Sequence, residues 1–120
     1  MSRPADRMVT VVIESPYAGD VERNVAYARA CVRDSLSRGE APFASHLIYT
    51  QPGVYDDNVP AQRARGIEAG LAYHRVCDRV VFYMDLGWSR GMLAAHEAAF
   101  AAGLVLEYRL LRSHDHDRGR

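Results

Sequence analysis

Three observations predict a small doubly wound α/β fold, with about four parallel strands and helices on both faces of the sheet. Apolar, β-branched runs alternate with helical segments along the whole chain. The first run, Met8-Val9-Thr10-Val11-Val12-Ile13-Glu14, is almost continuously apolar, as a strand buried on both faces of a parallel sheet must be. The two most polar loops, residues 15–20 and 85–91, both follow such strands, where ligands of this architecture sit.

After the first strand, Ser15-Pro16-Tyr17-Ala18-Gly19-Asp20 breaks the pattern, and Asp20 is placed to cap a helix by accepting from its free N–H groups. That helix spans residues 21–38, with Val21, Val25, Ala28, Val32 and Leu36 on one face and Gly39 as its stop. Residues 41–48 are short and apolar and read as the second strand, carrying His46 near its carboxyl end. Residues 50–58, with Pro52, Gly53 and two aspartates, read as a surface loop. Asp57 or Asn58 is then the expected cap of a helix over 59–76, with Pro60 tolerated in its first turn and Ile67, Leu71 and Val76 turned inward. The third strand is expected at 78–84, the third helix at 89–102 and the fourth strand at 104–110. Residues 8–112 form one domain, with 1–7 and 113–120 as flexible termini.

Hydrophobic residues make up 48% of the chain and charged residues 25%, as in an ordinary globular domain. The formal net charge is zero, so no long-range field collects nucleic-acid polymers or anionic membrane, and a small-molecule ligand is the expected partner. The chain has no Lys, which excludes Schiff-base chemistry and a P-loop lysine. Cys31 and Cys77 have neither metal nor redox spacing and read as reduced, buried thiols of a cytoplasmic protein. No apolar stretch approaches the ~20 residues of a membrane span.

The richest segment is Asp85-Leu86-Gly87-Trp88-Ser89-Arg90-Gly91-Met92. It brings an acid, a small-residue turn and a helix N-terminus together after a buried strand. Ser89 either caps the third helix or receives a ligand's phosphate or hydroxyl, with Gly91 allowing close approach. Glu97 stands among Ala94, Ala98 and Ala101, either as a reactive carboxylate with room above it or as part of a solvated helix face. Asp85 ends a buried strand, where a charge is costly without a role. Tyr17 can stack on a base or pack at an edge; Asn24 can bond a hydroxyl or cap a helix; His46 can donate to a ligand or serve structure. His114-Asp115-His116 is a weak metal motif lacking further ligands, and no metal or organic cofactor is expected.

Taken in order, Val12-Ile13-Glu14-Ser15-Pro16-Tyr17 with Gly19 and Asn24, Ala41-Pro42-Phe43 with His46, Cys77-Asp78, and Gly87-Trp88-Ser89-Arg90-Gly91-Met92 resemble the nucleoside 2-deoxyribosyltransferase-like superfamily, in particular an often phage-borne branch of it. The resemblance implies a flavodoxin-like sheet assembled as dimers or higher, and N-glycosidic bond cleavage or transfer on nucleosides or nucleotides. It implies Glu97 as the nucleophile, Asp85 as acid or sugar ligand, and Tyr17, Gly19, Asn24, His46, Ser89, Arg90 and Gly91 as substrate-binding residues. The step from Ser89 to Glu97 is about two residues longer than the superfamily pattern, roughly half a helical turn. Asp85 as the principal acid, and a nucleotide-binding or nucleotide-sequestering module without chemistry, therefore stay open.

Overall fold

The computed structural model describes residues 7–111. Four strands, β1 (Thr10–Glu14), β2 (Ala41–Phe43), β3 (Arg79–Tyr83) and β4 (Leu106–Arg109), alternate with three helices, α1 (Val21–Ser37), α2 (Pro60–His74) and α3 (Arg90–Ala101). The sheet order is β2-β1-β3-β4 and every pairing is parallel. This is the small flavodoxin-like α/β architecture. The chain reverses its direction of strand addition beside β1, so the crevice of such a fold opens at the carboxyl end of that strand.

Alternation along β1 and β3 sorts the core into two layers. Val11, Ile13, Val81 and Tyr83 face α1, where Tyr27, Cys31 and Ala44 complete one cluster. Val80 and Phe82 face the other side, where Met92, Ala95 and Ala99 of α3 and Leu71 of α2 pack. Glu14 follows Val12 in this alternation and pairs in register with Phe82, so the acid closing β1 is directed to the α2 and α3 side.

Several elements differ from their expected form. The second strand stops at Phe43, and His46 lies in a 3-10 turn, Ser45–Leu47. There the Ser45 carbonyl accepts from the Ile48 and Tyr49 N–H groups, so the backbone is satisfied locally and leaves the sheet ladder. On α1, Val21 and Leu36 are exposed; the inward face is Asn24, Tyr27, Ala28, Cys31, Asp34 and Ser35. Its polar members have partners outside the helix, Asn24 in the Tyr17 and Ala18 carbonyls, Asp34 in the Tyr83 hydroxyl and Ser35 in Glu40, which is why hydrophobic periodicity recovers Ala28 but misplaces Val21 and Leu36. On α2, Ile67 and Val76 are exposed, whereas Gly70 and His74 are buried. A Cβ on Gly70 would stand 3.1 Å from Ser45 Oγ, so the missing side chain lets α2 lie against the 3-10 turn. Neither Asp57 nor Asn58 caps α2. Val59 holds the cap position without a side-chain bond, and Pro60 starts the helix. Asp20 does cap α1 and Ser89 caps α3, accepting from Arg23 N and Met92 N. Gly39 ends α1 at φ +83°, a conformation that L side chains resist.

A buried ionic network ties β4 to the start of β2. The Arg109 guanidinium donates to both Glu40 oxygens at 2.6 and 2.8 Å, to Glu107 at 2.6 Å and to the Tyr83 hydroxyl at 3.1 Å. Tyr83 in turn donates to Asp34, and Ser35 to Glu40. Burial alone would raise the Glu40 carboxyl, but Arg109 and Ser35 outweigh it and hold Glu40 below the usual range.

Cys31 is fully buried, and burial pushes its thiol up to about 12; Cys77 is half-buried, and both are free. No helix among the described residues is long and apolar enough to cross a membrane. No cluster of three or more metal-ligating side chains occurs among them, and His114-Asp115-His116 lies outside the described residues.

Candidate functional site

At the carboxyl end of β1 a cleft with a cavity volume of about 100 Å³ opens between α2, the 3-10 turn and the first turns of α3. Its floor is Glu14. One wall is Ser45, His46 and Tyr49; the other is the small-residue surface of Gly66, Gly70, Gly91, Ala94 and Ala95; Tyr55, Asp57, Gln62 and Arg63 close the mouth. A second, larger and more open cavity adjoins it under the 50–58 loop, lined by Tyr17, Ala18 and Gly19 and sharing Thr50, Tyr55, Asp57 and Gln62 with the first.

The floor carboxylate is anchored from below. His74, at 3% side-chain exposure, places Nε2 2.8 Å from Glu14 Oε2, while the Glu14 side chain keeps 14% exposure. The other oxygen, Oε1, receives no hydrogen bond from any described residue. A buried imidazole that engages one carboxylate oxygen and leaves the other without a donor among the described residues holds Glu14 as an oriented acceptor. Burial lowers the His46 pKa, against an upward pull from the Glu14 and Asp57 carboxylates and with a downward one from Arg63. A neutral His46 offers the cleft one donor and one acceptor. Its ring stacks on Tyr17 at a centroid distance of 4.9 Å, so this pair forms the partition between the two cavities. Arg63 lies 3.5 Å from Asp57 and is the only guanidinium among the described residues that line the cleft.

Of the residues the sequence singled out, His46 and Gly91 line the main cleft and Tyr17 and Gly19 the adjoining cavity. Glu97 does not join them. It is exposed and lines neither cavity. Asp85 is also elsewhere. Its carboxylate accepts from the Tyr27 hydroxyl at 2.5 Å and from Leu111 N at 3.0 Å, and its own N–H donates to the same hydroxyl. It fastens the loop after β3 to α1 and to the segment after β4. Burial first, and then the hydrogen bond to Asp85, push the Tyr27 phenol far above its usual value, so it remains a donor. Asn24 is a clamp whose Nδ2 donates to the Tyr17 and Ala18 carbonyls, holding the loop after β1 rather than reaching a ligand. Ser89 spends its Oγ on capping, and Arg90 is exposed outside both cavities. Tyr17, Asp85 and Glu97 thus share no cavity, whereas Glu14 and His46 line one cleft and Tyr17 the cavity beside it.

Sequence reasoning passed over Glu14, His74 and Arg63. The usable signal was Glu14 itself, an acid at the inward position that closes an otherwise apolar strand. If Asp85 is a fastener, Asp85→Ala should lower unfolding free energy by about 1–3 kcal/mol, since the buried Tyr27 hydroxyl loses its acceptor. Denaturant titration measures this; an unchanged midpoint would show that the bond contributes nothing.

A search of curated proteins returns no match to the chain. A family model described as a domain of unknown function (DUF7768) matches residues 9–109, a span that runs from β1 through β4 and contains the whole cleft. The chain belongs to the DUF7768 family.

Proposed function

We propose that the cleft binds a nucleoside or nucleoside monophosphate and that the protein cleaves or transfers its N-glycosidic bond. One observation carries this reading: a carboxylate, an aromatic wall and a single guanidinium face one cleft at the carboxyl end of β1. Tyr49 and Tyr55 offer π-faces to a base, Ser45 and Gln62 hydrogen bonds to sugar hydroxyls, and Arg63 a planar fork to a phosphate. A carboxylate offsets the oxocarbenium-like charge that develops as such a bond breaks. Kinship with the nucleoside 2-deoxyribosyltransferase-like superfamily, supported by the order of its motifs along the chain, belongs to the same proposal.

The proposal extends to a cytoplasmic protein that self-associates. Support for assembly comes from Phe100, Val105, Tyr108 and Leu110, all exposed on or beside α3 and the open β4 edge.

A second reading, a nucleotide-binding module without turnover, is favoured by Ala95, which gives α3 no carboxylate over the cleft. Incubation with a panel of deoxynucleosides and their monophosphates, followed chromatographically for free base, tests the first reading. Thermal shift with the same panel tests binding, since a ligand at 100 times its Kd stabilises by about 2.7 kcal/mol. Base release supports the enzyme; stabilisation without release supports the module; neither result rejects both.

A further inference from the structure

We infer that Glu14 is the reacting carboxylate of the cleft and that His74 is the residue that positions it. This assignment rests on the cleft being a nucleoside site. Three features of the fold lead to it. Alternation along β1 turns Glu14 to the same side of the sheet as Phe82, beneath α2 and α3, so the strand delivers the acid to the cleft floor. Buried His74 takes up Oε2 at 2.8 Å and leaves Oε1 without a hydrogen bond from any described residue. Gly91, Ala94 and Ala95 of α3 and Gly70 of α2 line the cleft with small residues, next to the bulkier Ile67 and Leu71 of α2, so α3 leaves its side of the cleft open to a sugar ring.

The chemistry follows from one oriented oxygen. Glu14 Oε1 forms a bond to the anomeric carbon as the bond from that carbon to the base nitrogen breaks, and the base leaves with the bonding pair. The base takes a proton from water, leaving hydroxide. Hydroxide then attacks the anomeric carbon of the glycosyl ester, and the carbon–oxygen bond breaks with its pair returning to Glu14. The sum is nucleoside plus water giving free base and free sugar; in transfer, a second base takes the place of water. His74 touches no substrate. It restrains the Glu14 rotamer from beneath, and displacing a reacting oxygen by about 1 Å can cost 10²-fold in rate.

Asp57 from the 50–58 loop, Arg63 from α2 and His46 from the 3-10 turn line the same cleft as Glu14. Arg63 and Asp57 pair with each other at 3.5 Å.

The full chain, its Glu14→Gln, Glu97→Gln, His74→Gln and His74→Leu variants, and the panel of deoxynucleosides and monophosphates make the test. In Glu14→Gln, kcat should fall by about 10³-fold or more while thermal shift by the same nucleosides persists. In His74→Leu, kcat should fall by about 10²-fold with KM nearly unchanged, and His74→Gln, which retains a donor, should recover part of the loss. Acid-quenched wild-type protein should carry one added glycosyl unit on the peptide containing Glu14, a readout that stands even if Glu14→Gln fails to fold. Full turnover in Glu14→Gln, loss confined to Glu97→Gln, or the adduct on another peptide would overturn the assignment. Nucleoside binding without base release by the wild type would overturn it too, while leaving the cleft a nucleoside site. Absence of both binding and release would reject that site as well.

Discussion

Arg109→Met is expected to lower the free energy of unfolding by about 3–5 kcal/mol, the range for removing one partner of a buried ion pair. The guanidinium is 3% exposed and Glu40 9%, so the carboxylate left behind has little water to turn to. Tyr83 and Glu107 lose the same donor. Small domains are stable by about 5–15 kcal/mol, so the variant approaches the unfolding threshold. Adding Glu40→Leu to Arg109→Met should restore much of the loss, because the cost lies in the unpaired charge rather than in the missing bond. Guanidinium titrations of the two single variants and the double variant measure this; additive losses would show that the pair is not coupled. The network also sets an acid dependence. Burial would raise Glu40, yet Arg109 and Ser35 bring it below its usual value, and Arg109 and Arg79 do the same for Glu107 against burial. Their stabilisation is fully present above the ordinary carboxylate value of 4.5 and is lost as pH falls through the depressed folded values. Wild-type stability should therefore fall below pH 4.5 more steeply than that of Arg109→Met.

Phe82→Ala should cost about 3–5 kcal/mol, the range for deleting a buried aromatic ring. Phe82 is fully buried at the centre of the layer beneath α3, stacked on Trp88 at 5.1 Å and Tyr108 at 6.0 Å and edge-on to His96 at 5.2 Å. Removing the ring takes the common partner from three aromatic groups contributed by the loop after β3, by β4 and by α3. Phe82→Leu keeps most of the volume and should cost clearly less. Equal losses in the two variants would mean that cavity formation is not the dominant effect. Because Phe82 pairs in register with Glu14, collapse around an alanine should also loosen the cleft floor. Thermal shift by nucleosides on Phe82→Ala, run below its melting temperature, reads that coupling.

The legible parts of the chain were those governed by local rules. Asp20 and Ser89 cap helices because a short polar side chain before a helical run has free N–H groups within reach. Gly39 stops α1 because only glycine enters the left-handed region without cost. The misread parts depend on distant partners. Asp34 and Ser35, which lie outside the apolar set expected to face inward, are fully buried, because Tyr83 and Glu40 answer their polar groups from outside the helix. Val21 and Leu36 looked inward and are exposed, since the face of α1 was decided by that polar network. In the site, Glu97 and Asp85 were chosen for their local setting. Glu97 is exposed, and Asp85 is occupied by Tyr27 and Leu111.

The amino-acid sequence alone determined the alternation of strands and helices, and with it a parallel sheet whose cleft lies at strand carboxyl ends, because each rests on periodicity and capping within a few residues. Tertiary structure alone decided which acid enters that cleft. Glu14 and His74 are 60 positions apart and meet only when α2 crosses back over the sheet, a contact that no local pattern encodes. The side-chain direction of a carboxylate is local; whether it meets a buried imidazole, a phenol or water is set by packing between elements, and that difference separates the cleft acid from the fastener and from the exposed one.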